Sequence, residues 1–188
     1  MKKVYHGTTM PGAKCILEKG ILLSKSKEFT DFYKGFYVSE HFEYAKQTAL
    51  HKAYRSKSFG RTVVPAVVEL EYDDATGEKM SILKFSDETI EWLQFIVNNR
   101  NGIAYVNDIN SDFHNLGLSY DIVCGRICDG QIFSLSENLR KQKRCVNLTD
   151  IKDVVYKNNP YATQISFHTP IALTTLKVMG IKEVETYG

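Results

Sequence analysis

Three short segments of the sequence carry residues that could bind or transform a ligand. His6 is followed by a glycine and two threonines at the end of an opening strand, so an imidazole and free backbone groups can meet a ligand there. Further along, Gly35 permits close backbone approach and Tyr37 offers a ring face for stacking. Gln164 opens a late apolar segment and can direct a carboxamide into a cleft. Each segment alone also fits an ordinary structure: a turn with a surface histidine, a buried strand aromatic, or an exposed strand glutamine.

Other polar residues are weaker candidates. Asp121 and Asp129 could line a cleft as compensating acids, although Asp129 with Gly130 also fits a simple turn. Arg100 could meet a phosphate or form a structural ion pair, and the ion pair is favoured. His168 lies next to a helix start, where we expect it to pack rather than to react.

Apolar periodicity predicts the elements that must position these side chains. Strands are predicted over residues 3–6, 35–38, 63–72, 120–124, 164–168 and 181–187. Helices are predicted from Pro11, after Ser86, and over residues 40–54, 132–139, 149–156 and 170–179. Irregular structure is predicted over residues 24–31, 52–61 and 102–118. Because the short strands do not alternate strictly with helices, this order predicts an α+β fold, in one domain of residues 1–188, rather than a doubly wound sheet.

Composition excludes several classes of protein. The 188 residues carry a formal net charge of +2, which is too small to indicate nucleic-acid binding by charge alone. No apolar secretory segment or membrane-spanning stretch is present, so we expect a cytoplasmic protein without a membrane partner. The four cysteines are expected to be reduced thiols, and no metal is expected because no second Cys/His pair accompanies Cys124 and Cys128. Neither common glycine-rich phosphate loop occurs, so a nucleotide would be held in another way.

The order of the motifs resembles a known superfamily more than any single motif does. The succession of a strand-end His-Gly-Thr, a Lys-Gly-Phe-Tyr-Val-Ser and a late polar-led strand resembles the diphtheria-toxin and poly(ADP-ribose) polymerase branch of the ADP-ribosyltransferases. A bacterial family of domains of unknown function is similar over nearly the whole chain. The segments that carry this resemblance are Tyr5-His6-Gly7-Thr8, Asp31-Phe32-Tyr33-Lys34-Gly35-Phe36-Tyr37, Glu91-Trp92-Leu93-Gln94-Phe95, Asn99-Arg100, Tyr120-Asp121-Ile122-Val123-Cys124-Gly125 and Gln164-Ile165-Ser166-Phe167.

The resemblance implies a fold and a co-substrate. The fold would be a mixed, mainly antiparallel, split β-sheet with peripheral helices, and NAD⁺ would bind as co-substrate. His6 would hydrogen-bond a ribose hydroxyl, the Gly7 backbone would hold the nicotinamide carboxamide, and Thr8 would support the same ribose. Tyr37 would stack on the nicotinamide, because an aromatic face favours a cationic pyridinium. Gln164 occupies the position of the superfamily's glutamate.

Two residues depart from the superfamily pattern. Gly35 and Phe36 complete the implied cofactor-binding segment beside Tyr37, but Tyr33 replaces the first glycine of that motif. Gln164 replaces the acid. A glutamine can donate and accept hydrogen bonds, but it supplies neither a general base nor the negative charge that stabilises an oxocarbenium-like state.

The resemblance implies an NAD-dependent mono-ADP-ribosyltransferase that modifies a protein or nucleic-acid acceptor and releases nicotinamide. His6, Tyr37 and Gln164 would be its catalytic residues. NAD⁺ hydrolysis, and NAD⁺ binding by a catalytically impaired scaffold, stay open as alternatives. An RNA-processing phosphotransferase would need a basic groove, whereas the basic stretch over residues 52–61 is explained by a solvated loop.

Overall fold

The computed structural model of the protein describes residues 1–128, 130–155 and 163–185, which form two β-sheets and surrounding helices. The strands are β1 (Lys2–Thr9), β2 (Phe36–Val38), β3 (Pro65–Tyr72), β4 (Ile82–Lys84), β5 (Ile122–Arg126), β6 (Thr163–Phe167) and β7 (Leu176–Glu183). The helices are α1 (Met10–Lys19), α2 (Phe42–Ser58), α3 (Asp74–Gly77), α4 (Ile90–Asp108), α5 (Ile132–Gln142), α6 (Leu148–Ile151) and α7 (Pro170–Leu173).

The two sheets have the strand orders β1–β3–β7 and β2–β6–β5–β4. Every described ladder is antiparallel except the parallel pair of β4 and β5. The predicted α+β class with mainly antiparallel sheets is therefore confirmed. The strand predictions that are confirmed correspond to β1, β2, β3, β5 and β6, whereas β4 has no counterpart in the sequence patterns.

The two sheets share one apolar core, and helices cover their outer faces. Residues of both sheets meet in that core, including Val4, Phe36, Val68, Leu70, Ile165 and Phe167. On the other side of β3, Val67 packs against Ala45 and Ala49 of α2. The far face of the second sheet, at Val123, is covered by the buried residues of α4. The layers therefore run α2, first sheet, second sheet and α4, while α1 and α7 contribute Ala13 and Ala172 to the core that the sheets share.

In the described part of the chain, one β-bridge joins the two sheets, and an opening begins beside it. The Tyr5 N–H donates to the Ser39 carbonyl (2.8 Å), and the Ser39 N–H donates to the Tyr5 carbonyl (2.9 Å). Among the described residues, β1 and β2 form no further ladder pair. Because backbone groups alternate in direction along a strand, the N–H and C=O of Gly7 point to the same side as those of Tyr5. The edge of β1 at Gly7 therefore faces the opening between the sheets.

Helix α2 lies directly against β1 at Gly7. A Cβ at this position would overlap the backbone carbonyl of Ala45 and would lie 2.9 Å from Cβ of Thr48. The buried alanines of α2, at positions 45, 49 and 53, permit this close approach. Only glycine fits position 7 without moving the helix, so this contact fixes the distance between α2 and the edge of β1.

Some predictions near the end of the chain are wrong because tertiary pairing overrides local signals. The helix predicted over residues 170–179 stops as α7, and the chain continues as β7, which pairs with β3. The predicted cap is present, since the Thr169 side chain accepts from the backbone of the third helical residue. The helix predicted over residues 149–156 is the shorter α6, which begins at a capping box formed by Asn147. Residue 156 of the predicted helix, and residues 186 and 187 of the strand predicted over residues 181–187, lie outside the described ranges. Residues 181–183 of that predicted strand belong to β7, as expected.

Two stretches predicted as irregular are partly helical. Helix α4 continues into residues 102–118 through a kink at Gly102, whose φ is 76°. Helix α2 continues into residues 52–61, where the basic and polar composition indicated a loop. The start of α4 also differs, because Thr89 rather than Ser86 caps it by accepting from the backbone of the third helical residue.

We expect Gly7→Ala to destabilise the protein by about 1–3 kcal/mol, because the added methyl group must displace the backbone of α2. Denaturant-induced unfolding, followed by circular dichroism, measures this change. Gly117→Ala is the matched control, since a Cβ there meets no atom within 4 Å. Equal unfolding midpoints for the two variants would contradict the close packing of β1 and α2.

Candidate functional site

The opening between the sheets is a cavity of about 710 Å³. This volume lies in the range of about 300–1,000 Å³ that is typical of small-molecule sites. Its walls come from the edge of β1, from α1 and α2, and from the segments on both sides of β2. The residues that the sequence singles out as a site all line this cavity, namely His6, Gly7, Thr8, Gly35, Phe36, Tyr37 and Gln164.

His6 connects β1 to the backbone of β2. Its Nδ1 lies 2.6 Å from the Tyr37 carbonyl oxygen, which can only accept, so Nδ1 carries the proton. The imidazole stacks on Phe36 with 4.4 Å between ring centroids. Burial, and secondarily the charge of Lys52, lower the pKa of His6 to about 3, although its bond to the carbonyl opposes this shift. His6 is therefore neutral near pH 7, and Nε2 is its hydrogen-bond acceptor.

The ring of Tyr37 is held at its hydroxyl end. The phenolic oxygen accepts from the Phe32 N–H (2.9 Å), and it lies 2.8 Å from Thr30 Oγ1 and 2.7 Å from the Tyr33 carbonyl. Burial is the main cause that raises the pKa of Tyr37, so its hydroxyl stays protonated. Tyr33 contributes its backbone and adopts a φ of 72°, in the left-handed region that favours glycine. These contacts orient the Tyr37 ring without a ligand.

His168 packs against residues 34 and 35, which directly precede β2. Its Nδ1 donates to the Lys34 carbonyl (2.9 Å), and its Nε2 lies 2.7 Å from Ser166 Oγ, which can donate to it. A Cβ at Gly35 would lie 2.8 Å from the His168 ring, so glycine is required for this packing. Burial lowers the pKa of His168 to about 4. The His168 ring is thus neutral and packs against the backbone, as its position beside a helix start predicts.

Lys52 reaches from α2 to the edge of β1. Its Nζ donates to the Gly7 carbonyl at 2.6 Å. Burial of the ammonium, and secondarily the charge of Lys27, lower the pKa of Lys52 to about 8, although the residue as a whole is exposed. Sequence reasoning missed this contact because it assigned Lys52 to a solvated basic stretch over residues 52–61, although the helix predicted over residues 40–54 already places Lys52 two turns from Ala45 on the same face.

Gln164 lies beside a buried ion pair. Its Nε2 donates to Asp31 Oδ2 at 2.8 Å, and Asp31 Oδ1 accepts from Arg100 Nε (2.8 Å) and Nη2 (2.7 Å). Asp31 and Gln164 are only 8% and 6% exposed, yet all three residues line the cavity. The ion pair favoured for Arg100 is therefore confirmed. Asp31 is a site residue that sequence reasoning missed, and its place in the Asp-Phe-Tyr-Lys-Gly-Phe-Tyr motif was the signal that could have found it.

The cavity has an excess of positive charge. Of the described residues that line it, Lys25, Lys27, Lys52 and Arg100 are cationic and Asp31 is anionic. Asp31 and Arg100 neutralise each other, and within the described ranges no salt bridge joins a carboxylate to any of the three lysines. A cavity with unneutralised cations raises the local concentration of anions and favours an anionic ligand.

The two acids predicted as possible compensating groups do not join this arrangement. Asp121 accepts from Thr169 Oγ1 (2.6 Å) and from the Ser81 N–H (3.1 Å), and it is not among the residues that line the cavity. Its carboxylate holds chain segments together, so the prediction that it lines the cleft is wrong. Asp129 lies outside the described residues.

The chain belongs to the family described as "Protein of unknown function (DUF3990)", which matches residues 2–178. No curated protein and no solved structure matches the chain. In the described part of the chain, no helix has the length and apolar character required to cross a membrane. Nor do the described His, Cys, Asp and Glu side chains form a group of three or more that could hold a metal ion.

We expect the buried histidines to make the protein less stable in acid. The pKa of His168, about 4, lies below its ordinary value of 6.5, so between these pH values the unfolded chain binds more protons and stability decreases as the pH falls. The pKa of His6 is also lowered, so His6 likewise reduces stability as the pH falls. Thermal unfolding from pH 7 to pH 4 should show a shallower decrease for His168→Asn, whose amide does not titrate, than for the parent protein. His51→Asn, at an exposed position of α2, is the control, and a slope unchanged by His168→Asn would contradict this assignment.

Proposed function

We propose that the protein is an NAD-dependent mono-ADP-ribosyltransferase whose fold is related to that of the ADP-ribosyltransferases. The observation that carries this proposal is the meeting of His6 and Tyr37, which are 31 positions apart, at one cavity through a hydrogen bond of 2.6 Å. The motif order of the superfamily and the opening between two mainly antiparallel sheets point the same way.

The nicotinamide end of NAD⁺ fits the region between Tyr37 and Gly7. The Tyr37 ring is already oriented by its hydroxyl contacts, and an aromatic face attracts a cationic pyridinium. The Gly7 backbone, whose groups point into the opening, offers a donor and an acceptor for a carboxamide. Because the fold already fixes both the Tyr37 ring and the backbone edge at Gly7, these groups lose little conformational entropy when a ligand binds.

The adjoining ribose fits two hydrogen-bond acceptors. His6 is neutral and has its proton on Nδ1, so Nε2 can accept from a ribose hydroxyl. Gln164 donates through Nε2 to Asp31, so its carbonyl oxygen is the end of the amide that can accept from a ligand. In the proposed reaction, the bond from ribose C1′ to nicotinamide breaks with its electron pair leaving on nicotinamide. The acceptor's nucleophile bonds to C1′ and releases its proton to the surrounding water, because the uncharged Gln164 cannot take it.

The diphosphate of NAD⁺ fits the lysine-lined wall of the cavity. Lys25, Lys27 and Lys52 bring cations that no described carboxylate neutralises by a salt bridge. Lys52 contacts the same Gly7 whose backbone would hold the nicotinamide, so a cation lies beside the proposed nicotinamide pocket. The sequence has no glycine-rich phosphate loop whose backbone amides could bind the diphosphate. In this proposal the lysine ammonium groups bind it instead.

A second candidate is NAD⁺ binding without turnover. Gln164 carries no charge, and the nearby Asp31 carboxylate is neutralised by Arg100. Stabilisation of an oxocarbenium-like state is a large catalytic contribution in this class of reaction, and a neutralised carboxylate contributes less to it. The uncharged Gln164 and the neutralised Asp31 therefore favour a nucleotide sensor or scaffold. Such a protein would bind NAD⁺ without releasing nicotinamide.

The proposal predicts nicotinamide release and a labelled acceptor when the protein is incubated with labelled NAD⁺ and cell lysate. Tyr37→Ala should abolish both products, because it removes the stacking face. Tyr54→Ala is the matched control, since Tyr54 is 77% exposed on α2, and it should retain activity. His6→Ala provides a second test if Tyr37→Ala does not fold. Unchanged activity in a folded Tyr37→Ala protein would refute this pocket, whereas calorimetric NAD⁺ binding without release would select the second candidate.

We expect Lys52→Gln to weaken the binding of ADP-ribose by about fivefold, the upper range for one exposed charge pair. The binding of nicotinamide alone should change much less, because it carries no phosphate. Lys57→Gln, elsewhere on α2, is the matched control. Calorimetry at two salt concentrations measures these affinities, and added salt should weaken ADP-ribose binding to the parent more than to Lys52→Gln. Equal ADP-ribose affinities for all three proteins would contradict the diphosphate assignment.

A further inference from the structure

Asp31 is a buried carboxylate whose two oxygens have different partners. Oδ1 accepts from Arg100 Nε and Nη2 at 2.8 Å and 2.7 Å, and Oδ2 accepts from Gln164 Nε2 at 2.8 Å. The backbone of Asp31 is also held, since Asn99 donates to its carbonyl at 3.4 Å. A carboxylate this buried is stable only when paired, and the guanidinium of Arg100 provides that charge.

The carboxylate determines which way the Gln164 amide points. An ionised carboxylate can only accept hydrogen bonds, so the NH₂ group of Gln164 must face Asp31, and the nearby Arg126 carbonyl at 3.5 Å also requires a donor. The carbonyl oxygen of Gln164 is therefore turned away from the ion pair. Because Gln164 lines the cavity, its oxygen is the end of the amide that a ligand can reach.

We infer that Asp31 is the positioning residue of Gln164, and that the two act as one unit, an amide oxygen presented to the ligand and a carboxylate behind it. The carboxylate fixes the amide and increases the electron density on its oxygen through the hydrogen bond, since hydrogen-bonded groups in a buried site polarise one another. This inference rests on the proposed function, in which the ligand group is a ribose hydroxyl of NAD⁺.

The unit requires one amide and one carboxylate, and the two can be exchanged. In the double variant Asp31→Asn/Gln164→Glu, the introduced amide oxygen accepts from Arg100 and the introduced amide nitrogen donates to the new carboxylate. The contact between the two side chains and the contact with Arg100 are kept, and only the longer contact of position 164 with the Arg126 carbonyl, at 3.5 Å, is lost. The side-chain lengths do not change, and the negative charge moves to the side chain that faces the cavity. Each single variant breaks the pattern. Asp31→Asn places a donor against the Gln164 NH₂, so Gln164 must turn its NH₂ to the ligand, and Gln164→Glu places two carboxylates together, so one must take up a proton.

The test is a double-mutant cycle on nicotinamide release and on the acceptor-labelling rate. We expect each single variant to lower kcat by about tenfold or more, with a smaller change in the KM for NAD⁺, because the contact acts on the transition state. The double variant should recover to within about threefold of the parent or exceed it, since interacting residues are not additive. Single variants with parental activity, or a double variant whose loss is the product of the single losses, would overturn the inference.

A second measurement, without NAD⁺, separates this inference from the proposed function. In ¹H–¹⁵N spectra of the full chain, the Gln164 side-chain NH₂ signals should exchange slowly with water in the parent and faster in Asp31→Asn. Gln94 is an internal control, because its amide is held by Asn98 (2.7 Å) and the Val146 N–H (2.8 Å), and its exchange should not change. Absence of NAD⁺ binding and turnover in the parent would refute the proposed function alone, and the exchange rates would still decide the role of Asp31. Equal Gln164 exchange in the parent and Asp31→Asn would overturn the inference.

Discussion

The candidate site depends on the way β1 separates from β2 after the bridge between Tyr5 and Ser39. If the ladder continued, the two strand edges would satisfy each other and no cavity would form. The packing of α2 against Gly7 holds β1 on its course. The His6 imidazole then supplies the Tyr37 carbonyl with the hydrogen bond that a further ladder pair would have given. The His6 side chain therefore both takes the place of the next ladder bond and lines the cavity.

The sequence was sufficient to predict the parts of the site that lie on strands. His6, Tyr37 and Gln164 are on β1, β2 and β6, where the apolar pattern identified the strands and the motif order indicated that they meet. Asp31 could not be placed in this way, because it lies in a segment without a period and its partner Gln164 is 133 positions away. Lys52 was missed for a different reason: it lies inside the predicted helix of residues 40–54, but its basic neighbours indicated a solvated surface rather than a contact with Gly7.

The fold shows the same division between local and long-range information. Alternating residues predicted β3 correctly, because one face of the strand is apolar throughout. The chain after Pro170 carries a strong helix-start signal, but it follows the edge of β3 as β7 once the first turn is complete. Local propensity is weak compared with sheet pairing, which only the assembled sheet makes available. The net charge is a similar case. Its value of +2 for the whole chain gives no indication that unneutralised lysines gather at one cavity.

The bond between Lys52 and Gly7 means that the resting protein already uses the backbone carbonyl that a carboxamide would need. A carbonyl oxygen has two lone pairs, so a bound carboxamide would either share this oxygen with the Lys52 ammonium or displace that ammonium. The ammonium gives a charge-assisted bond, which is stronger than one from a neutral amide, so its displacement would be unfavourable unless the ammonium gains a new partner. In the proposed NAD⁺ site, discrimination between ligands would then depend on whether the displaced ammonium meets a negative group of the same molecule. A bare amide leaves it solvated, whereas a dinucleotide can accept it.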